Sequence, residues 1–164
     1  MSKIAVVYWS GTGNTEAMAD LVANAAQSAG ATVDKMTSAE FNAADAANYD
    51  GFALGCPAMG AEQLEESEFE PMYQDLRGSL SGKPVGLFGN YGWGDGEWIR
   101  TWAEDAQAAG ARLVADPVMA NGAPGAPLFF CAASGKQNVI MSIFLFSNNG
   151  FTLSANYCKI QGKR

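Results

Sequence analysis

The chain has 164 residues, carries a formal net charge of −7 and contains no histidine. This length fits a single domain whose core needs no disulfide or metal for stability. The missing histidines exclude Ser-His-Asp and Cys-His catalysis and histidine-containing zinc sites, and the excess of acidic residues argues against binding to nucleic acid.

Short apolar segments alternate with helical segments along the chain. The predicted elements are, in order, strand Ile4–Trp9, helix Thr15–Ala29, strand Ala31–Met36, a helical turn at Asp45–Ala47, strand Gly51–Cys56, helix Phe69–Leu80, strand Pro84–Phe88, helix Trp98–Ala109, strand Arg112–Met119 and helix Ala126–Gln137. The strands lack polar alternation, which indicates a parallel sheet covered on both faces. Regular alternation of strands and helices predicts a doubly wound α/β fold, in which ligands bind beyond the C-terminal ends of the strands.

The loop after the first strand, Ser10–Thr15, combines hydroxyl and amide side chains with two glycines just before a helix. Glycines allow several N–H groups to point inward, and the helix N-terminus adds partial positive charge. This pattern predicts a phosphate cradle. The loop contains no basic residue and matches neither the Walker P-loop nor G-x-G-x-x-G, so its neutral donors suit one terminal monophosphate. A capped helix start is the alternative interpretation.

The loops after the third and fourth strands, Pro57–Glu62 and Gly89–Glu97, are the other unusual segments. Trp93 stands between glycines in the second of them, where it has no core to fill. Aromatic rings and thioethers both pack well on the faces of flat rings. Trp93 and Met59 together therefore predict an apolar slot for a flat ring.

Four segments resemble the short-chain flavodoxins of anaerobic bacteria. They are Tyr8–Thr15, Gly55–Gly60, Glu65–Pro71 and Phe88–Gly94. The resemblance runs from about Lys3 to about Gln137. It implies a flavodoxin-like, doubly wound, five-stranded parallel sheet of order 2-1-3-4-5 with helices on both faces. It also implies FMN as the cofactor, with no catalytic residue and no metal.

The resemblance implies roles for residues in all three loops. The phosphate would be held beside Trp9 by the side chains of Ser10, Thr12, Asn14 and Thr15 and by the backbone of Gly11 and Gly13. Met59 and Trp93 would flank the isoalloxazine ring, and Glu62 would bind its N3 edge. The backbone around Asn90–Gly94 would contact the pyrimidine edge, and Asn121 would approach the cofactor. The full set of implied cofactor-binding residues is Trp9, Ser10, Gly11, Thr12, Gly13, Asn14, Thr15, Pro57, Ala58, Met59, Gly60, Ala61, Glu62, Gly89, Asn90, Tyr91, Gly92, Trp93 and Gly94.

The implied function is that of a low-potential one-electron carrier, in which bound FMN shuttles between neutral semiquinone and anionic hydroquinone. In the family, a peptide after the methionine turns its carbonyl toward ring N5, and here that peptide is Gly60–Ala61. Ala61 tolerates a turn with positive φ at Gly60 alone and resists the alternative turn, so we expect it to favour the semiquinone form. Glu62, Asp95, Glu97 and the run Glu65–Glu70 would oppose a second negative charge on the ring.

Other functions fit parts of the pattern. An FMN-dependent NAD(P)H oxidoreductase is the alternative, but it needs space for nicotinamide on a ring that Trp93 and Met59 would cover. A domain that only stores FMN would lack reversible two-step reduction. A phosphotransfer receiver needs aspartate at the end of the third strand, where Gly55–Pro57 stands, and a C-x5-R phosphatase needs arginine where Glu62 stands. Cys56 is therefore interpreted as a packing or cofactor-edge residue.

The acidic and basic residues are unevenly distributed. All 17 acidic residues lie at or before Asp116, so that part carries a net −11 and the remainder +4. We expect redox partners with basic docking faces and neither nucleic acid nor membrane as a partner. Widely spaced cysteines and the lack of a signal peptide pattern predict a cytoplasmic protein, expected as a monomer.

The last residues match no part of the resemblance. We predict an FMN-binding domain at 1–137 and a C-terminal extension of unknown structure at 138–164. Val139–Phe146 is apolar and β-prone. The extension is interpreted as an accessory segment without a redox role, with an added edge strand or interface as the alternative.

Overall fold

The structure is a computed structural model that describes residues 2–124, 129–135 and 138–144. Its helices are α1 (Asn14–Ser28), a 3-10 helix (Ala43–Asn48), α2 (Phe69–Arg77) and α3 (Glu97–Ala108). Its strands are β1 (Lys3–Tyr8), β2 (Thr32–Thr37), β3 (Gly51–Gly55), β4 (Pro84–Tyr91), β5 (Arg112–Leu113), β6 (Val118–Asn121), β7 (Phe129–Gly135) and β8 (Asn138–Phe144). Among these helices, none is both long and apolar enough to cross a membrane.

The main sheet is parallel and has the order β2-β1-β3-β4-β5, with β6 also paired to β4. Successive β1 side chains enter separate buried clusters on opposite faces. Ala5 and Val7 pack with residues of α2 and α3, whereas Ile4 and Val6 pack with residues of α1. Helices therefore cover both faces, which confirms the predicted doubly wound sheet and its strand order.

The predicted fifth strand, Arg112–Met119, is interrupted. Its first part, β5, pairs with Pro84 and Val85, and its second part, β6, pairs with the last four residues of β4. Pro117 lies in the interruption, where its missing N–H cannot contribute to a strand ladder. The interruption lets the chain resume pairing as far as Asn121, two residues beyond the predicted end.

The predicted helix Ala126–Gln137 was wrong for the residues that the structure describes. Phe129–Gly135 forms β7, which pairs antiparallel with β8. The segment has aromatic residues at its start and no helical apolar spacing, and the β-branched residues Val139, Ile140 and Ile143 favour a neighbouring strand. The hairpin spans the predicted boundary after residue 137, and residues 145–164 of the extension lie outside the described residues.

Candidate functional site

The three predicted site loops meet at one edge of the sheet because β1, β3 and β4 are neighbours and run parallel. Backbone hydrogen bonds join the residues just beyond the strands. The amide of Trp9 donates to the Gly55 carbonyl at 3.0 Å, and the amide of Ala58 donates to the Asn90 carbonyl at 2.9 Å. A Cβ atom at Gly89 would lie only 2.1 Å from the Cys56 carbonyl oxygen, so only glycine permits this close approach.

The first loop leaves the N-terminus of α1 open. Gly13 is the N-cap and has no side chain, so it supplies no acceptor for the first helix amides. The first intrahelical bond runs from the Ala17 amide to the Gly13 carbonyl at 2.9 Å, so the preceding amides remain as donors. Ser10 Oγ accepts a 3.0 Å bond from the Gly13 amide, which curls the loop. The arrangement suits an anion held by backbone amides and neutral hydroxyl groups.

Thr15 differs from the other polar residues of the first loop. It is fully buried, and its Oγ1 donates a 2.6 Å hydrogen bond to Asn90 Oδ1 on β4. Thr12, three residues earlier, is exposed. Among the predicted phosphate ligands, Thr12 is exposed, Ser10 and Asn14 are half-buried, and Thr15 is buried.

The second loop closes on itself. The Met59 amide donates to the Gln63 carbonyl and the Gln63 amide donates to the Met59 carbonyl, each at 2.9 Å. Between them, Gly60 has φ +49° and Glu62 has φ +54°. The positive φ at Gly60 agrees with the predicted turn, whereas the left-handed backbone at Glu62 was not predicted.

The second and third loops are joined at the predicted ring slot. Trp93 Nε1 donates a 3.2 Å hydrogen bond to the Gly60 carbonyl, and the Trp93 side chain is 55% exposed. Met59, next to Gly60, is half-buried. The exposed indole and the half-buried thioether thus belong to loops that are joined here, and both are groups that pack on the faces of flat rings.

Glu62 has a structural contact that the sequence did not reveal. Its Oε1 accepts hydrogen bonds from the amides of Asp95, Gly96 and Glu97 at 3.2, 2.8 and 3.1 Å. These amides lie at the N-terminus of α3, whose N-cap, Gly96, has no side chain to supply an acceptor. The glycine at the N-cap was the signal in the sequence that could have predicted this contact. A helix that begins after a glycine has no capping side chain of its own, so its N-terminus needs an acceptor from elsewhere.

The position of Glu62 also constrains the third loop. A Cβ atom at Gly94 would lie 2.3 Å from the Glu62 carboxyl carbon, and Gly94 has φ +80°. A side chain at residue 94 would therefore displace the carboxylate from the end of α3. Glu62 holds the second loop against the third, and all three bonds use the same oxygen.

The acidic run Glu65–Glu70 contains residues with different roles. Glu65 is 5% exposed, and its carboxylate accepts 2.9 Å bonds from the amides of Ser67, Glu68 and Phe69 and a further bond from the Ser67 hydroxyl. Burial alone would raise the pKa of Glu65, but these hydrogen bonds together hold it below its ordinary value. Glu65 caps α2, whereas Glu66 and Glu68 are exposed.

Cys56 is a packing residue. Its side chain is fully buried, and burial raises the pKa of the thiol to about 12. The Glu65 amide donates to its Sγ at 3.3 Å, and Trp98 Nε1 donates to its carbonyl at 3.1 Å. A buried thiol that stays protonated is a poor nucleophile, which agrees with the sequence interpretation.

The predicted site residues of all three loops differ in exposure. Those on the surface are Gly11, Thr12, Gly13, Gly60, Ala61, Gly92, Trp93 and Gly94. Those half-buried are Trp9, Ser10, Asn14, Met59, Glu62, Asn90 and Tyr91. Those buried beneath the loops are Thr15, Pro57, Ala58 and Gly89. Asn121 is exposed and pairs with Tyr91 at the end of β6, so it lies at the same edge of the sheet.

Comparisons with known proteins identify close relatives. A family model described as Flavodoxin matches residues 6–135. The flavodoxin of Megasphaera elsdenii is 47% identical over 116 residues, which cover 71% of this chain and 85% of that protein. The flavodoxin of Clostridium beijerinckii is 43% identical over 132 residues, which cover 80% of this chain and 96% of that protein. The solution structure of two-electron reduced Megasphaera elsdenii flavodoxin matches with a TM-score of 0.70 and covers 74% of this chain and 88% of that one.

Proposed function

The chain belongs to the flavodoxin family, and from that premise we propose that it is a low-potential carrier that moves one electron at a time. Members of this family bind FMN and transfer electrons, so the chain is an FMN-dependent electron-transfer protein rather than an enzyme. In its function as a carrier, the bound cofactor would alternate between its one-electron-reduced and two-electron-reduced forms. The observation that carries it is that the open N-terminus of α1, the exposed indole of Trp93 and acidic residues of the second and third loops lie at one edge of the sheet.

The residues present fit FMN. The amides at the start of α1 and the exposed Thr12 hydroxyl are donors for a terminal phosphate, and no basic side chain stands in Ser10–Thr15. The exposed indole of Trp93 and the neighbouring Met59 would flank the isoalloxazine ring. Trp93 would gain burial that the residues described by the structure do not give it, which would stabilise the bound ring.

Glu62 is proposed to serve the ring with its second oxygen. Oε1 accepts from three amides of the α3 N-terminus. Oε2 would then accept the ring N3 hydrogen without releasing the helix. The helix end would hold the carboxylate in place, so the ring contact would need no rearrangement of the second loop.

Bound FMN supplies the redox chemistry, and the surrounding charges would set its potential. Asp95 and Glu97 are exposed beside the slot, and the nearby Arg100 is paired with Asp95 at 2.6 Å. A carboxylate ~10 Å from an added negative charge costs about 0.8 kcal/mol at an effective dielectric constant of ~40. Several such carboxylates would make the second electron harder to add than the first.

Exposed acidic residues that follow the second loop or lie at the end of the third loop also support docking to basic faces of redox enzymes. Glu66, Glu68, Asp95 and Glu97 are all exposed. Electron transfer from the reduced holoprotein to a basic haem protein should slow as ionic strength rises, because salt screens the attraction. Transfer to an uncharged quinone is the control, whose rate should stay nearly constant. A salt-independent rate with the basic acceptor would remove the docking proposal.

The FMN-binding unit is proposed to be residues 1–137, acting as a monomer in the cytoplasm. The full set of predicted cofactor-binding residues precedes Asp95, and Asn121, which is also expected to approach the cofactor, precedes residue 138 as well, so no cofactor contact is assigned to residues 138–164. The cytoplasmic proposal rests on the three widely spaced cysteines of the sequence, a pattern typical of free thiols in a reducing compartment.

Anaerobic reductive titration of the FMN-loaded protein, followed by visible spectroscopy, tests the proposed couple. We expect two separated one-electron steps with a long-lived species between them. A single two-electron step would contradict the proposal. Continuous oxidation of NADH or NADPH by the same preparation would favour the alternative, an FMN-dependent oxidoreductase.

A further inference from the structure

We propose that Arg100 is a positioning residue of the third loop, which orders the glycine-rich segment that carries Trp93 and offsets the charge of Asp95. Arg100 lies in the first turn of α3 and is the first basic residue after Lys83. The ordering of the loop concerns the protein without its cofactor. The charge effect rests on the proposed FMN function, so the two parts are tested by separate measurements.

The third loop needs a restraint because of its composition. Gly94 and Gly96 flank Asp95 and have φ +80° and +93°. Glycine loses more conformational freedom on folding than any other residue, so such a segment depends on contacts from elsewhere to keep one conformation. Trp93 stands immediately before it. Whatever orders Asp95 therefore also orders the residue that is expected to flank the ring.

Arg100 contacts Asp95 twice. Its Nη1 donates a 2.8 Å hydrogen bond to the Asp95 carbonyl oxygen, and its Nη2 donates a 2.6 Å bond to Asp95 Oδ1. The Asp95 amide donates to Glu62 Oε1 at 3.2 Å. Glu62 thus holds this residue by its N–H, whereas Arg100 holds it by its carbonyl and its carboxylate. The planar guanidinium presents several donors in a fixed geometry, which an ammonium group does not.

The same contacts place a positive charge among the acidic residues of this edge. The hydrogen bond with Asp95, followed by the charges of Asp95, Glu62 and Glu97, raises the pKa of Arg100 above its ordinary value. The field of a close ion pair falls off faster with distance than that of a lone carboxylate. Loss of Arg100 would leave the Asp95 charge unopposed, two residues from Trp93, and would disfavour an added electron on a bound ring.

The exposure of the pair separates this role from general stabilisation. The side chains of Arg100 and Asp95 are 52% and 78% exposed. Ion pairs between exposed side chains contribute little to the free energy of unfolding. We therefore expect the consequences of losing Arg100 to be confined to the third loop and the cofactor, with the urea midpoint of the apoprotein unchanged.

The experiment uses the full-length chain and two measurements. Amide hydrogen exchange of the apoprotein is followed at Asp95, Gly96 and Glu97, and the midpoint potentials of the FMN-loaded protein are measured by spectroscopic redox titration. The variants are Arg100→Gln, Arg100→Lys, the double variant Arg100→Gln/Asp95→Asn and the control Arg112→Gln. Arg112 is an exposed arginine of β5, which pairs with the first residues of β4, at the edge of the sheet opposite the loops.

We expect Arg100→Gln to accelerate exchange at the three amides by about threefold to tenfold. It should also lower the second midpoint potential by about 30 mV, which is about a threefold change at 59 mV per tenfold. Arg100→Lys should accelerate the exchange but keep most of the potential, because it retains the charge and loses the fork. The double variant should restore the potential and leave the exchange fast. Arg112→Gln should change neither.

Unchanged exchange at the three amides in Arg100→Gln would overturn the ordering role. A second potential that does not change, or that Arg112→Gln lowers equally, would overturn the charge role. A lower urea midpoint with faster exchange throughout the chain would show a general structural role and also contradict the inference. Failure of the unaltered chain to bind FMN would remove the proposed function, and the exchange measurement would still decide the ordering role.

Discussion

Trp93 Nε1 donates a hydrogen bond of 3.2 Å to the carbonyl oxygen of Gly60, across 33 positions of sequence. The bond connects the tip of the second loop to the residue that is expected to cover the ring. It also holds the Gly60 carbonyl in one orientation, in the peptide that the sequence singles out for reorientation. The indole is therefore part of the loop's support as well as a surface for the ring.

Trp93→Phe should loosen the second loop in the apoprotein. Phenylalanine keeps an aromatic face but has no N–H, so the Gly60 carbonyl loses its partner. Amide hydrogen exchange at Ala61 and Glu62 should accelerate by about threefold to tenfold, the equivalent of one modest hydrogen bond. Amides in the middle of α1 serve as the internal control and should exchange at the original rate. Unchanged exchange in the loop would show that the bond contributes nothing to its order.

Ala61→Gly should lower the midpoint potential of the first electron step of the FMN-loaded protein. Gly60 has φ +49° whereas Ala61 is not among the residues with positive φ, and alanine resists moving there by about 1 kcal/mol. Glycine removes that restriction and lets the peptide adopt the alternative turn. The expected decrease is about 40 mV, measured by spectroscopic redox titration. An unchanged or higher first potential would contradict this account of Ala61.

Glu62→Ala should destabilise the apoprotein by about 1–2 kcal/mol, because the N-terminus of α3 loses its acceptor. Glu62→Gln should have a smaller effect, since an amide oxygen still accepts. Urea unfolding of the apoprotein measures both without the cofactor. Glu66→Ala is the matched control, an exposed glutamate for which a change within ~0.5 kcal/mol is expected. Equal destabilisation by Glu62→Ala and Glu66→Ala would contradict the role of Glu62 as a cap of α3.

Glu65 should contribute to the acid sensitivity of the fold. Its pKa in the folded protein is lower than the ordinary value of 4.5. The unfolded chain then binds a proton more readily, so the stabilisation is complete above the unfolded pKa and is lost as pH falls through the folded pKa. Glu65→Gln should flatten this part of the stability curve, measured by urea unfolding from pH 7 to pH 3. Glu66→Gln should leave the curve unchanged, and an equally steep acid limb in both variants would contradict the assignment.

Truncation after Gln137 should preserve FMN binding. It removes β8, the hairpin partner of β7, but none of the predicted cofactor-binding residues. The FMN dissociation constant should stay within about threefold of that of the full chain, measured by fluorescence quenching. A loss of tenfold or more would place part of the cofactor site, or its support, in residues 138–164.

The sequence was sufficient to predict the sheet and the edge at which the three loops meet. Apolar strands and amphipathic helices are local patterns, and in a parallel sheet the strand order alone brings the loops after β1, β3 and β4 together. The same reasoning failed where the local pattern was weak. Pro117 was the one local sign that the strand Arg112–Met119 is interrupted, and residues 129–135 were assigned to a helix although their pairing partner lay beyond them.

Polar residues show most clearly what the sequence could not predict. By itself the sequence determined that Thr15 and Glu62 stand in loops that resemble those of a flavodoxin site, because residue type and position along the chain decide that resemblance. Only the tertiary structure decided what their side-chain oxygens contact. The Thr15 hydroxyl bonds to Asn90, 75 positions away along the chain, and the Glu62 carboxylate bonds to the Gly96 amide, 34 positions away. The reason is physical, since a hydroxyl or carboxylate bonds to any suitable donor or acceptor within about 3 Å. Which group stands there depends on how distant segments pack, and the spacing of residues along the chain does not contain that information.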